Sequence, residues 1–167
     1  MRYLLAFLTA IMISPVFADT IGNIQYDLPA ARQDWKKVQS LEEAEDGSLE
    51  GTTFLYGPKE DSLDDPIEFF AAHINNFPSA GTSPKEIKQG LEEAFEGEIK
   101  VVILESDPDS TLYEWSGVDE GKNIYSIVRG FFSQTGTTLL MYQTRDQGKV
   151  EVEKAIWIET LKSAKKI

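Results

Sequence analysis

The chain has 167 residues, a formal net charge of −12 at pH 7 and no cysteine. Without cysteine it can form neither a disulfide framework, nor a thiolate zinc site, nor a cysteine nucleophile. Its acidic charge repels phosphate backbones and anionic lipid headgroups, which argues against nucleic acid and membrane surfaces as partners.

The first 18 residues have the pattern of a cleaved secretory signal peptide. Arg2 supplies a positive charge, residues 4–13 form an apolar run, and Val16-Phe17-Ala18 places small residues where a signal peptidase reads them. The run is too short for a transmembrane helix, which needs about 20 apolar residues. We therefore predict cleavage after Ala18, one domain over residues 19–167, a periplasmic or secreted location and no membrane contact after cleavage.

Short strands are predicted at the start of the domain. Three runs are rich in β-branched or aromatic residues, namely Gly22 to Tyr26, Trp35 to Val38 and Thr52 to Gly57. The acidic stretch from Leu41 to Gly51 contains two glycines and is predicted to be a loop.

Two helix start signals follow these strands. Asp65-Pro66-Ile67-Glu68 combines an N-cap, a proline at the first helical position and an acid at the third, and Ser83-Pro84-Lys85-Glu86 repeats this pattern. Apolar residues then recur at helical spacing, so the sequence predicts helices over 65–77 and 83–96. The spaced apolar residues are Ile67, Phe70, Ala71, Ile74 and Phe77 in the first helix and Ile87, Leu91, Ala94 and Phe95 in the second.

The last third of the chain predicts a meander followed by a helix. Short turns separate four strand-like runs, and connections this short join antiparallel neighbours. The runs are Ile99 to Ser106, Thr111 to Gly117, Asn123 to Ser133 and Thr137 to Arg145, and the helix covers about Glu151 to Lys165. The predicted class is α+β: an antiparallel sheet of early strands and meander, packed with three helices as an α/β/α-like sandwich.

The order of elements also carries a family resemblance. An early strand pair ends in Thr52 to Tyr56, a helical segment covers Asp65 to Glu96, the meander ends in Leu139-Leu140-Met141-Tyr142, and the closing helix contains Trp157. This order resembles the PsbP-like fold, which is shared with a eukaryotic Ran-binding nucleotide-release factor. Members of that family mostly act as binding or assembly modules without catalysis, so the resemblance implies a binding protein.

His73 is the only histidine, and it lies in the first predicted helix beside the apolar stripe. It is a candidate general base, but it also has the position of a histidine at the boundary of the core. The chain lacks the Gly-x-Ser-x-Gly elbow of many serine hydrolases. A single histidine without cysteine cannot form a usual zinc site.

Carboxylates are the other candidate catalytic groups. Four of them surround one predicted turn, at Glu105, Asp107, Asp109 and Glu114, where they serve either as an acid and base pair or as solvated charges. A small hydrolase that uses His73 or these carboxylates is therefore the alternative function.

No cofactor or metal is predicted from the motifs of the chain. The EF-hand pattern and both glycine-rich phosphate loops are absent from the sequence. A weak surface calcium site near Asp61, Asp64 and Asp65 is left open.

The predicted meander also holds a group of aromatic residues. Tyr113 and Trp115 share one face of a strand, Tyr125 and Arg129 share one face of the next, and Tyr142 lies on the last. If these faces coincide, the five residues form either a core patch beneath a helix or a face that binds a partner.

Together these features predict an exported, non-enzymatic binding or adaptor module, monomeric, that recognises a protein or peptide outside the cytoplasm. In a host-associated bacterium it would be a secreted effector, a role that the sequence permits. A carrier for a small apolar ligand between sheet and helices is a third hypothesis.

Overall fold

The computed structural model describes residues 18–43, 50–57, 68–75 and 83–167, most of them in strands. The strands are β1 (Asp19–Ile21), β2 (Ile24–Tyr26), β3 (Lys36–Glu43), β4 (Glu50–Gly57), β5 (Phe69–Asn75), β6 (Glu96–Asp107), β7 (Ser110–Asp119), β8 (Lys122–Phe132), β9 (Gly136–Thr144) and β10 (Lys165–Lys166). The α-helices of the described part are α1 (Pro84–Ala94) and α2 (Gln147–Ser163), and a short 3-10 helix covers Ala30–Arg32. The predicted signal peptide, apart from Ala18, and the candidate calcium aspartates lie outside the described residues.

Two antiparallel sheets form the fold. The large sheet has seven strands in the order β3-β4-β5-β9-β8-β7-β6, and the small sheet has three in the order β1-β2-β10. The four meander strands were predicted correctly, and β5 pairs with β9 to join them to the early strands. The small sheet pairs residues near the two ends of the described chain, with Gln25 opposite Lys165.

The predicted three-helix α/β/α-like sandwich is wrong, because the segment expected to form the first helix contains a central strand. Phe69 and Ala71 of β5 lie on one face of the large sheet, whereas Phe70 and Ala72 line a cavity on the other. The sequence of a strand with apolar residues on both faces is a continuous apolar run. Such a run also contains apolar residues at helical spacing, so it can be mistaken for a helix. His73 therefore lies on a strand, and the described part is mostly antiparallel β.

The second predicted helix, α1, is confirmed together with its start signal. The Ser83 Oγ atom accepts a hydrogen bond from the backbone N–H of Glu86 at 3.3 Å, and the Ser83 N–H donates to the Glu86 carboxylate at 3.3 Å. This reciprocal pair is a capping box. The closing helix, α2, begins four residues earlier than predicted, because Asp146 caps it by accepting from the Gly148 N–H at 2.9 Å.

One face of the large sheet, here called the core face, is covered by α2 and the small sheet. Trp157 of α2 stacks between Tyr142 and Phe69, with ring centroids 4.6 and 5.2 Å away. Ile24 and Tyr26 of the small sheet are also fully buried in this cluster. Burial of this aromatic cluster is the main source of hydrophobic stabilisation on the core face.

Ion pairs attach α2 to the rest of the domain along its whole length. Four side chains of the helix each meet an opposite charge from another element. The pairs are Lys149 with Glu68, Glu153 with Arg32 (2.5 Å), Lys154 with Glu114 (2.6 Å) and Lys162 with Glu105 (3.1 Å).

The pair at the end of α2 predicts a loss of stability in acid. A hydrogen bond from Lys162, aided by the charge of Arg129, lowers the pKa of Glu105. A carboxyl with a lowered folded-state pKa contributes stability above its ordinary pKa and loses it as the pH falls through the lowered value. We expect wild type to be more stable than Glu105→Gln at pH 6, and this difference to shrink progressively below about pH 4.

Urea unfolding of both proteins at a series of pH values measures this difference. The exposed substitution Glu151→Gln, which changes the net charge equally, is the control. A wild-type advantage that is unchanged at pH 3 would contradict the role of Glu105.

Candidate apolar binding groove

The large sheet separates the five predicted site residues. Tyr113 pairs with Val128 of β8, and Tyr142 pairs with Ile127 of the same strand. Because Ile127 and Val128 are adjacent, their side chains and those of their partners lie on opposite sides of the sheet. Tyr113 and Trp115 therefore share one side, whereas Tyr125, Arg129 and Tyr142 belong to the core face. The five residues do not form one surface.

Tyr142, Tyr125 and Arg129 are all buried on the core face. The Tyr125 hydroxyl donates to Glu114 at 2.7 Å, and burial together with that carboxylate raises the pKa of Tyr125. Arg129 donates to Glu105 and to the Ser110 hydroxyl, both at 3.0 Å. These contacts attach the side chains to neighbouring strands.

His73 is half-buried beneath the turn between β1 and β2. Its Nδ1 lies 2.8 Å from the Thr138 hydroxyl, and its Nε2 lies 3.1 Å from the Asn75 side-chain oxygen. Gly22 (φ 55°) packs so closely that a Cβ there would lie 2.6 Å from Nδ1. Within the described ranges no carboxylate hydrogen-bonds this ring, so it lacks the partner that orients a general base in a catalytic triad.

The four candidate carboxylates are all engaged with basic side chains. Each is within 4.0 Å of a lysine or arginine, and Glu105 and Asp107 share Arg129. The contacts are Glu105 with Arg129 and Lys162, Asp107 with Arg129 at 3.8 Å, Asp109 with Lys166, and Glu114 with Lys154. Among the residues that the structure describes, no three His, Asp or Glu side chains are grouped to hold a metal ion.

The described residues cover only part of the face of the large sheet opposite α2, here called the groove face. Between it and α1 lies an inner cavity of about 330 Å³. Apolar side chains provide most of its lining. The lining residues are Thr53, Phe70, Ala72, Leu91, Phe95, Tyr113, Trp115, Val128, Leu139, Met141 and Gln143.

The cavity exists because α1 rests on the edge of the sheet. Ile87, Leu91 and Phe95 recur at every fourth position and form the apolar stripe of the helix segment. Phe95 meets Trp115 with ring centroids 4.7 Å apart. However, no residue of α1 is fully buried, so this stripe forms a wall of the cavity and leaves the space beside it open.

An outer cavity of about 620 Å³ continues the groove along α1. The two cavities share Leu91, Tyr113 and Leu139, and the outer one extends to Phe132 and Thr137. Residues 137–143 of β9 run along the floor of both, a distance of about 20 Å at the rise of a β-strand.

Few polar groups face the inner cavity. Thr53 and Gln143 line the inner cavity, and Tyr113 lies between the two. Burial raises the pKa of Tyr113 to about 12, so its hydroxyl is neutral at pH 7 and can donate a hydrogen bond. Apolar walls with a few polar groups are typical of small-molecule binding sites.

Sequence reasoning missed most of this groove. Val128, Leu139 and Met141 alternate with core-face residues inside apolar strands, so no pattern distinguishes them. Gly90 could have indicated the groove, because it lies in the middle of α1 and glycine destabilises the interior of a helix.

No protein-family model matches the chain, and no match was found among curated proteins. The PsbP-like resemblance therefore stays a prediction. Of the helices in the described part, none is both long and apolar enough to cross a membrane.

Proposed function

We propose that the domain is a non-catalytic binding module that holds a small apolar ligand between α1 and the large sheet. The observation that supports this function is the inner cavity, whose volume of about 330 Å³ lies within the range of about 300–1,000 Å³ usual for ligand sites. Trp115, Val128 and Met141 give it an apolar lining.

This proposal retains the exported, non-enzymatic module predicted from the sequence, with a periplasmic or secreted location. It replaces the protein or peptide partner with a small ligand. The reason is that Tyr125, Arg129 and Tyr142 are packed beneath α2 and the small sheet, away from the face that carries the open cavity.

Binding of the neutral fluorophore N-phenyl-1-naphthylamine to the purified protein tests the proposal. We expect its emission to rise and to saturate. Leu91→Asp places a charge on the apolar wall, and we expect about tenfold weaker binding because burying an unpaired charge is costly. The matched control is Val152→Asp, at a position on α2 that is 75% exposed, which should bind as wild type does.

Two outcomes would contradict the proposal. One is an absence of saturable emission with the wild-type protein. The other is equal weakening by Leu91→Asp and Val152→Asp. Turnover of a substrate that is abolished by His73→Ala would favour the hydrolase alternative instead.

A further inference from the structure

We propose, on the basis of the function proposed above, that the ligand is a single-chain amphiphile with a positively charged amine head. Its chain lies along β9, and its head lies in the outer cavity beside Glu86 and Glu93. The shape of the groove, an open glycine and an unpaired hydroxyl support an alkyl chain with a polar head, and the charge of the rim supports a positive one.

The shape of the groove favours an elongated ligand. The inner and outer cavities join at Leu91, Tyr113 and Leu139. Their common floor follows β9 for about 20 Å. A groove of that length suits an extended alkyl chain better than a compact ring system.

Gly90 keeps the outer cavity clear. It lines this cavity in the middle of α1, and a Cβ built there would have no atom within 4 Å. Alanine at such a position would stabilise the helix by about 1 kcal/mol, so glycine brings no structural benefit here. What it does provide is unoccupied space beside Leu91 for a ligand.

The charge of the rim favours a cation. The charged side chains that line the outer cavity are Glu86 and Glu93 of α1. Lys88 is engaged with Glu92 at 3.4 Å, and neither of these two lines the cavity. Within the described part of the chain, neither Glu86 nor Glu93 forms a salt bridge, so both are available to an incoming positive head.

The two rim carboxylates are held in place by neutral groups. Hydrogen bonds from Ser83, together with the charge of Lys85, lower the pKa of Glu86, and a glutamate is ionised at pH 7 even without such a shift. Glu93 accepts from the Gln89 side chain at 3.0 Å. These contacts fix the positions of the carboxylates without neutralising them.

Thr137 adds a hydrogen-bonding group to the same cavity. It lines the outer cavity and is only 3% exposed, yet its Oγ1 has no hydrogen-bond partner among the described residues. Buried hydroxyls normally have one. A hydroxyl both donates and accepts hydrogen bonds, so Thr137 can pair with a polar head of either charge, and the rim carboxylates decide which charge is preferred.

Calorimetric titration with three amphiphiles of equal chain length, each below its micelle concentration, tests the inference. The probes are octylammonium, neutral octyl glucoside and octyl sulfate. We expect octylammonium to bind about fivefold more tightly than octyl glucoside, because two exposed ion pairs add a modest gain. Octyl sulfate should bind most weakly.

Three variants locate the head and the chain. Glu86→Gln with Glu93→Gln should remove the preference for octylammonium, and glutamine at position 86 preserves the capping box. Glu50→Gln with Glu151→Gln changes the net charge equally at exposed positions outside the groove and should retain the preference. Gly90→Leu should place a side chain in the outer cavity beside Leu91, weaken octylammonium binding at least tenfold and leave the thermal midpoint undiminished.

Each failure has a distinct meaning. If all three amphiphiles bind equally, the amine head is wrong and the apolar site stands. If Gly90→Leu binds octylammonium as wild type does, the ligand does not occupy the outer cavity, and the inference is overturned. If none of the probes binds, both the inference and the proposed function fail.

Discussion

Replacing Trp157 with alanine is expected to lower the free energy of unfolding by about 3–5 kcal/mol. The side chain is 1% exposed and stacks between Phe69 and Tyr142, with Trp35 at 6.1 Å. Its removal leaves a cavity where α2, the large sheet and the N-terminal segment meet. Urea unfolding followed by far-ultraviolet circular dichroism measures the loss.

The neighbouring residue provides the control for this prediction. Ile156 is also on α2 but is 52% exposed. Its replacement by alanine should change the unfolding free energy by less than about 0.5 kcal/mol. Equal losses from Trp157→Ala and Ile156→Ala would show that α2 is not packed on the sheet as described.

Arg129→Met is expected to cost about 2–3 kcal/mol of stability while leaving apolar ligand binding unchanged. The Arg129 side chain is only 9% exposed, and hydrogen bonds to charged groups are worth about 1.5–3 kcal/mol. The loss should stay below the 3–5 kcal/mol typical of a broken buried pair, because Glu105 keeps Lys162 as a partner at 3.1 Å.

Arg145→Met is the matched control for this substitution. Arg145 pairs with Asp119 and Glu120, but its side chain is 33% exposed. An exposed pair of this kind is worth about 1 kcal/mol or less. If Arg129→Met left stability intact and abolished ligand binding, Arg129 would belong to a binding site and the placement on the core face would be wrong.

Local signals made much of the fold predictable. Turn residues between short apolar runs predicted the meander, and Ser83-Pro84-Lys85-Glu86 predicted α1, since both depend on neighbours in sequence. β5 was missed because its order depends on contacts with β4 and β9 from distant parts of the chain. The residues before β5 resemble a helix N-cap, and its apolar residues have helical spacing. The segment therefore matched a helix as well as it matched a strand.

The candidate site was less accessible to sequence reasoning. Alternation along a strand is enough to predict that Tyr113 and Trp115 share a face. The residues of β8 and β9 that lie beside them depend on the register of strand pairing. A shift of one residue exchanges the two faces of a strand. Sequence reasoning thus identified Tyr113 and Trp115 as candidates. It could not identify the cavity, which depends on how α1 packs against the edge of the sheet.

The small sheet has a consequence for the order of folding. Ile24 and Gln25 of β2 pair with Lys166 and Lys165 of β10, and the backbone of Asn23 accepts from the Ile167 N–H at 3.0 Å. Pairings so distant in sequence form slowly. During synthesis β2 emerges long before β10, so the small sheet is completed only after β10 has been translated.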